Sequence, residues 1–591
     1  MNDTTTISPL LNRLDCIIKK YPKQLAVIDG SLTLTYSQLS LAANALANVL
    51  FQLKCPIGLF MERSAGSVLA AVALARAGIP YIPLGMDWPD ARLSRMIERY
   101  GITALLAVPS TVKNRSWADR ISLIDPTEFF DAQAHELPCP TPSPETLLYI
   151  MHTSGSTGEP KGVRIHHAGV HAIFTEVSHL GYVPGQCMAY GASLTFDMSI
   201  MEMWGGLLNG CALVITRTET LLDATSLKSH LALYGIKFLV LPTSVFNILS
   251  AQNPSIFQTL EHLCFAGEMP NSEAVNRIRS ACPELILHNC YGPTECSAIV
   301  ATETISNASF INNHVATGKP IGNTRFVIID ANGQPVPTGE EGELLIVGSC
   351  VGLGYTQEKQ NTDSSPFILL PDKNRAYKSG DRAVLTPDGT LLVLGRLDDQ
   401  IKISGCRTEP GEVCAAILKS PLVRLAYVGV VRHPEPALIA YIVPSQASGD
   451  EVIDTLRNFL HSQLPEYMVP QYIIAMNELP LNSNGKIDIA RLPAPSAMNK
   501  ESGDPILDAF RSVLHDETFS FEDSFLEAGG SSIMAAKLIA ALRKITGVAV
   551  PFHLIMAQRT ASTIKLYVEN AKISQAQAED TTPNSEVTVR I

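Results

Sequence analysis

The sequence predicts an α/β protein with largely parallel sheets, followed by a β-rich part, a small α+β unit and a terminal helical bundle. Three observations carry this. From the start to about residue 395, short apolar runs alternate with amphipathic helical patterns, the signature of crossover-connected parallel strands. From about residue 320 the runs shorten and turn signals multiply. Beyond a Pro-containing linker, the apolar spacing becomes purely helical.

Among the first elements, Leu39, Ala42, Leu46 and Val49 space like one helix face, as do Val68, Ala71, Val72 and Ala75. Buried-strand candidates are Gly58-Leu59-Phe60, Ala212-Leu213-Val214-Ile215 and Phe238-Leu239-Val240-Leu241. Leu147-Leu148-Tyr149-Ile150-Met151 reads the same way, and so does Leu285-Ile286-Leu287. Later, Phe326–Asp330 and Glu343–Val347 flank Asn332-Gly333, and Asp388-Gly389 marks a second hairpin. The α+β unit covers about 399–492. Pro493-Ala494-Pro495-Ser496 opens a polar linker to about Asp504. In the bundle, Ile533, Ala536, Lys537, Ile539 and Leu542 share one helix, and the Gln-, Thr- and Glu-rich tail reads as disordered.

Composition excludes several function classes. A chain of 591 residues is too long for one core. A net charge of −12, with no Lys/Arg cluster, argues against a nucleic-acid-binding body. No apolar run reaches the ~18–20 residues that cross a bilayer, so no membrane association is expected. The N-terminus, Met1-Asn2-Asp3-Thr4-Thr5-Thr6, shows no secretion signal. Twelve scattered cysteines without a Cys-x-x-Cys pair fit reduced thiols in the cytoplasm. His166-His167 has no ligand-spaced partner nearby, so no structural metal is expected.

The run Thr153-Ser154-Gly155-Ser156-Thr157-Gly158-Glu159-Pro160-Lys161-Gly162 concentrates the chemistry. Glycine-freed backbone N–H groups, hydroxyls and one cation suit a polyphosphate. The spacing is neither a Walker A loop nor a Gly-x-Ser-x-Gly elbow. Asn289-Cys290-Tyr291-Gly292-Pro293-Thr294-Glu295 places an aromatic for a base beside Thr294 for phosphates and Glu295 for Mg²⁺. One carboxylate plus substrate phosphates is how Mg²⁺ is usually held. Asp381, after Tyr377-Lys378-Ser379-Gly380, suits ribose hydroxyls, and Arg396 a phosphate or ribose. Each alone has a plainer reading as a turn, cap or surface ion pair.

In order, Leu34–Leu39, Ala77–Leu84, Thr153–Gly162, Phe196-Asp197-Met198-Ser199, Asn289–Glu295, Gly342-Glu343-Leu344 through Gly354-Tyr355, Tyr377–Asp381, Gly395–Gln400 with Lys402, Gly405 and Arg407, Leu464–Pro470 and Asn484-Gly485-Lys486-Ile487-Asp488 resemble the adenylate-forming superfamily. The likeness is to adenylation domains of nonribosomal peptide synthetases, over about residues 10–492. It implies a large domain of two α/β subdomains plus a β-rich part (1–397) and a mobile small subdomain (398–492). It also implies ATP and Mg²⁺, with a carboxylate attacking the α-phosphate and a thiol capturing the adenylate. Lys486 takes the catalytic role, stabilising charge that develops in the transition state, and Asp398 the hinge. Gly267 and Glu268 join the nucleotide site. Ser404, Pro410 and Ile489 depart from common family residues, and none removes a charge assigned to the first step.

The resemblance makes Asp197 the partner of a substrate α-ammonium. Helix capping is its plainer reading. Met198, Met201, Val240, Cys264, Ala266, Cys290, Ala298 and Ile299 complete the pocket. With no second charge among them, a neutral, bulky amino acid, aromatic before aliphatic, is expected. Asp523-Ser524-Phe525-Leu526-Glu527-Ala528-Gly529-Gly530-Ser531-Ser532-Ile533 resembles the modification site of a peptidyl carrier domain (505–572, after a 493–504 linker and before a 573–591 tail). Ser532 then receives 4′-phosphopantetheine from a phosphopantetheinyl transferase. Ser531 stands where Asp or His is usual. A downstream enzyme is expected to take the aminoacyl thioester in trans. An acyl- or aryl-CoA ligase and a non-catalytic carrier or docking protein are the competing readings.

Overall fold

A computed structural model describes residues 7–580, less 54, 114, 134–140, 156–159, 176, 312–313, 357–364, 399, 404–405, 432–436, 446–450, 481–486, 494–502, 515, 517–518, 527, 529, 531 and 558–559. The alternation in the sequence folds into two sheets. One has six strands in the order Ser122–Ile124, Ala104–Leu106, Ile57–Leu59, Tyr81–Pro83, Leu147–Thr153 and Lys161–His166, parallel until the last pair. That antiparallel pair, with Thr153 opposite Lys161, brackets the Ser/Thr/Gly run. The other sheet has nine strands. Its central members, His262–Ala266, Ile236–Pro242, Cys187–Tyr190 and Ala212–Ile215, are parallel, and both edges are antiparallel.

Helix Ala65–Ala77 is buried at every position. The sequence reading gave it one apolar face; it is apolar all round because it belongs to the core. Its one cation, Arg76, reaches Asp15 at 2.7 Å. In helix Tyr36–Leu53, Leu39, Ala42 and Leu46 are buried, but Val49 is 42% exposed, so the face narrows toward the helix end.

The β-rich part is five strands, Arg325–Ile329, Gly342–Val347, Phe367–Leu369, Arg375–Leu385 and Leu391–Arg396. Its turns form where the sequence places them: Asp330 accepts from the N–H groups of Asn332 and Gln334, and Gly333 supplies φ +77°. The small unit packs helices Pro410–Ile417 and Glu451–His461 on strands Val423–Val431, Ala437–Pro444 and Tyr472–Ala475, with its own apolar core.

Helices Pro505–Leu514, Ser532–Thr546, Phe552–Met556 and Ala561–Asp580 form the terminal bundle. The last one corrects the sequence reading, which began a disordered tail at 573. No Gly or Pro interrupts 561–580, and its Ala, Gln and Glu residues favour helix. Helix Ser532–Thr546 lies on helix Thr243–Gln252. Gln252 Nε2 donates to the Ala536 carbonyl at 3.1 Å, and Arg543 donates to the Gln252 carbonyl at 3.4 Å.

Candidate active site

A cavity of about 1400 Å³ opens at the carboxyl ends of the central strands of the nine-stranded sheet, where open α/β sheets bind ligands. Asp197, Thr153, Ser154, Asp381, Arg396 and Ser532 all line it, although they come from distant parts of the chain.

Asp197 stands at the N-cap position of helix Met198–Leu208, yet its side chain makes no capping bond. It accepts instead from the Thr294 hydroxyl, so Thr294, expected to face phosphates, orients this carboxylate. Burial pushes the Asp197 carboxyl above its usual range, and Thr294 and the Lys402 ammonium oppose the shift. Met198, Met201, Val240, Ala266, Cys290, Ala298 and Ile299 line the surrounding wall. Cys264 does not: it is fully buried behind the wall, against the Cys290 thiol. Ala298 has φ +121°, strain of the kind that collects at functional sites.

Glu295 is completely buried. Its Oε1 accepts from Arg407 Nη1 at 2.7 Å and from the Tyr355 hydroxyl at 2.7 Å, while Oε2 has no partner. Burial raises its pKa, but the guanidinium prevails and holds the carboxyl below its usual range. The Tyr291 hydroxyl donates to Asp381, and Arg396 pairs with Asp381 at 3.0 Å and with Asp398 at 2.6 Å. Asp398 thus follows the strand Leu391–Arg396 with its carboxylate already tied to the large domain. Asn289 Nδ2 donates to the Ala316 carbonyl at 2.8 Å, and Gly267, Glu268 and Gly292 border the same space. Only glycine fits at 292, since a Cβ there would sit 2.3 Å from the Ala298 carbonyl oxygen.

Ser154 Oγ donates to the Arg407 carbonyl at 3.0 Å, and the Gly155 N–H to Glu412 Oε2 at 3.2 Å. The Lys161 ammonium lies 5.4 Å from the Tyr355 ring centre. Ser156, Thr157, Gly158 and Lys486 lie outside the described residues. Ser532 is the first residue of helix Ser532–Thr546 and lines the cavity, as do Ile533 and Met534 on its own helix and Val245 and Ile248 on the facing one.

The profile of the family described as AMP-binding enzyme matches residues 15–356, more than half of the chain. The chain belongs to the AMP-binding enzymes. Residues 412–486 match the AMP-binding enzyme C-terminal domain, and 504–568 the phosphopantetheine attachment site. Tyrocidine synthase 3 of Brevibacillus parabrevis is 32% identical over 580 residues, covering 94% of this chain and 9% of that protein. Gramicidin S synthase 2 of Aneurinibacillus migulanus is 30% identical, covering 97% and 13%. The chain thus spans about a tenth of the length of these curated relatives. Holo-PA1221, a protein containing adenylation and carrier domains bound to a vinylsulfonamide inhibitor, has the same fold at a TM-score of 0.79 and 23% identity, over 94% of this chain and 98% of that one. The chain therefore carries an AMP-binding enzyme domain with its C-terminal domain, followed by a phosphopantetheine attachment site.

The residues of this AMP-binding enzyme fit the groups its family uses. The buried, unpartnered Oε2 of Glu295 would offer one carboxylate oxygen to Mg²⁺. Thr153 Oγ1, unpartnered at the cavity wall, would be available to a phosphate. Ser244 Oγ and Asn247 Oδ1 are buried without partners and border the cavity that Ser532 also lines, where they would be available to the amides and hydroxyls of a 4′-phosphopantetheine arm.

Sequence reasoning missed Glu202, which borders the cavity and is 1% exposed. It accepts from the N–H groups of Gly191 at 3.1 Å and Ala192 at 2.7 Å, and Arg63 faces it. Its place four residues after Met198 was the available signal, since i and i+4 share a helix face. Burial pushes its pKa up to about 8, with the two N–H groups and Arg63 resisting. A carboxyl with a raised folded-state pKa stabilises the fold below its unfolded pKa and loses that contribution as pH rises through about 8. Wild-type Tm is therefore expected to fall more steeply between pH 6 and 9 than that of Glu202→Gln, measured by thermal unfolding. Parallel profiles would refute this.

Proposed function

We propose that the chain activates an α-amino acid with ATP as aminoacyl-AMP and loads it as a thioester onto the phosphopantetheine arm of its own carrier domain at Ser532. The single observation that carries this reading is that Asp197, suited to an α-ammonium, and Ser532 border one continuous cavity. A carboxylate without a paired cation there costs about 3–5 kcal/mol, which favours amino acids over keto, hydroxy and fatty acids. Lys486 serves as the catalytic cation, Asp398 as the hinge and Glu295 as the metal carboxylate. Thr153–Gly158 and Lys161 hold the β- and γ-phosphates, and Asp381 and Arg396 the ribose side.

The substrate is neutral and bulky, aromatic before aliphatic. Met198, Met201 and Cys290 at the wall support this, because sulfur packs well against aromatic rings. Glu202 adds no free charge, being committed to two N–H groups beside Arg63. Residues 1–397 act as the core, 398–492 as the mobile subdomain and 505–572 as the carrier. A phosphopantetheinyl transferase and a downstream enzyme acting in trans complete the partners. A cytoplasmic site of action is supported by the free thiols, eleven among the described residues. Among those residues no helix is long and apolar enough to cross a membrane.

The test is the intact mass of phosphopantetheinylated protein after incubation with ATP and each amino acid. A gain with one neutral, bulky amino acid, lost in Ser532→Ala, is the expected result. A free CoA thioester would indicate a CoA ligase, and no ATP turnover with any acid a non-catalytic carrier.

A further inference from the structure

Arg63 stands between the segment that leads to Asp197 and a helix that seats the carrier. It lies between strand Ile57–Leu59 and helix Ala65–Ala77, and it lines the cavity. Its Nε donates to the Thr216 carbonyl at 2.7 Å and its Nη2 to the Thr218 hydroxyl. Both acceptors flank the start of the short helix Thr218–Leu222. That helix packs against the carrier helices Ser532–Thr546 and Phe552–Met556. One apolar cluster takes in its Leu222, Val245 and Ile248 of the large domain, and Ile539 and Ile555 of the carrier.

Arg63 also faces Glu202, whose Oε2 holds the N–H groups of Gly191 and Ala192. These two residues open the segment that runs to Asp197. Gly191 in turn lies against the seat helix, since a Cβ there would run into the Leu221 side chain. The amino-acid site and the carrier seat therefore meet at one guanidinium. A planar fork of fixed geometry holds two acceptors at once, which an ammonium on a flexible stem does not.

We propose that Arg63 is a positioning residue for the thioester step: by gripping residues 216–218 it sets helix Thr218–Leu222, and through that helix the carrier, against the cavity that Asp197 and Ser532 both line. The proposal rests on the reading of Ser532 as the loading site. In that step the arm's sulfur bonds to the acyl carbon and the bond from that carbon to the phosphate oxygen breaks. AMP leaves with the electron pair, and the thiol proton passes to solvent. Arg63 acts through the seat helix and not on these atoms. Activation of the amino acid is then independent of the fork, while delivery of the arm depends on it. A misplacement of about 1 Å can cost about a hundredfold in rate.

Arg63→Lys tests this, because it keeps the charge facing Glu202 and loses the two-pronged grip. In the full chain before its arm is attached, hydrogen exchange across 216–222 and 552–556 is expected to rise about fivefold, with that across 198–208 unchanged. In the phosphopantetheinylated chain, single-turnover loading of Ser532 is expected to fall about tenfold while ATP–pyrophosphate exchange is kept. Thr218→Val removes one acceptor and leaves Glu202 untouched; it is expected to move both readouts the same way, to a smaller extent. Unaltered hydrogen exchange across 216–222 overturns the proposal without any catalysis. Loading at the wild-type rate, or equal losses of loading and pyrophosphate exchange, overturns it as well. If the wild-type chain itself gains no aminoacyl mass at Ser532, the loading reading fails along with the proposal. If it loads and Arg63→Lys loads as fast, only the positioning role is lost.

Discussion

Asp197→Asn is expected to lower amino-acid-dependent ATP–pyrophosphate exchange by about a hundred- to several-thousandfold, the rate equivalent of leaving an ammonium in a dry pocket without its anion. The side chain is poised for this role. It sits at a helix start without capping it, and Thr294 fixes its orientation. The Asn variant retains shape and the Thr294 contact, so the loss reports charge. Its activity with the matching 2-hydroxy acid should fall far less. Equal losses with both acids would refute the ammonium role. Because burial raises the Asp197 pKa, wild-type kcat/KM for the amino acid should decline with falling pH earlier than an ordinary carboxylate would dictate. The Asn variant should show no such limb.

Lys486→Ala is expected to cost about a hundred- to a thousandfold in adenylation, about 2.7–4 kcal/mol, with Tm unchanged. A cation reaching both the carboxylate and the α-phosphate acts on charge that develops only in the transition state. Lys161→Ala should be milder, since a residue that grips the β- and γ-phosphates stabilises ground state and transition state alike. Its effect should appear chiefly in the KM for ATP. Near-wild-type exchange in Lys486→Ala, or a deeper kcat loss in Lys161→Ala, would overturn the division of labour.

The Ser/Thr/Gly run was legible because its residues are consecutive and follow a strand pattern, and the strand Leu147–Thr153 forms there. The Asn332-Gly333 and Asp388-Gly389 turns were legible for the same local reason. Asp197 and Ser532 were legible as motifs, but nothing in the chain said that they share a cavity 335 positions apart. The contacts of Glu412 with Gly155 and of Arg407 with Glu295 span 257 and 112 positions and join separate subdomains. Docking, not local pattern, creates them. Glu202 escaped notice because its neighbours are apolar and its partners are backbone groups of another segment. Cys264 was placed on the wall by positional resemblance, which carries over a place in the chain but not a depth behind the wall.

The helix Thr243–Gln252 continues directly from the strand that carries Val240 to the pocket wall, and its far end holds the carrier through Gln252. Selectivity and carrier attachment are therefore written on one uninterrupted stretch of chain. A segment transplanted from a relative across 236–252 to change the amino acid would import that relative's carrier seat as well, and a swap ending at Pro242 would leave the native seat in place.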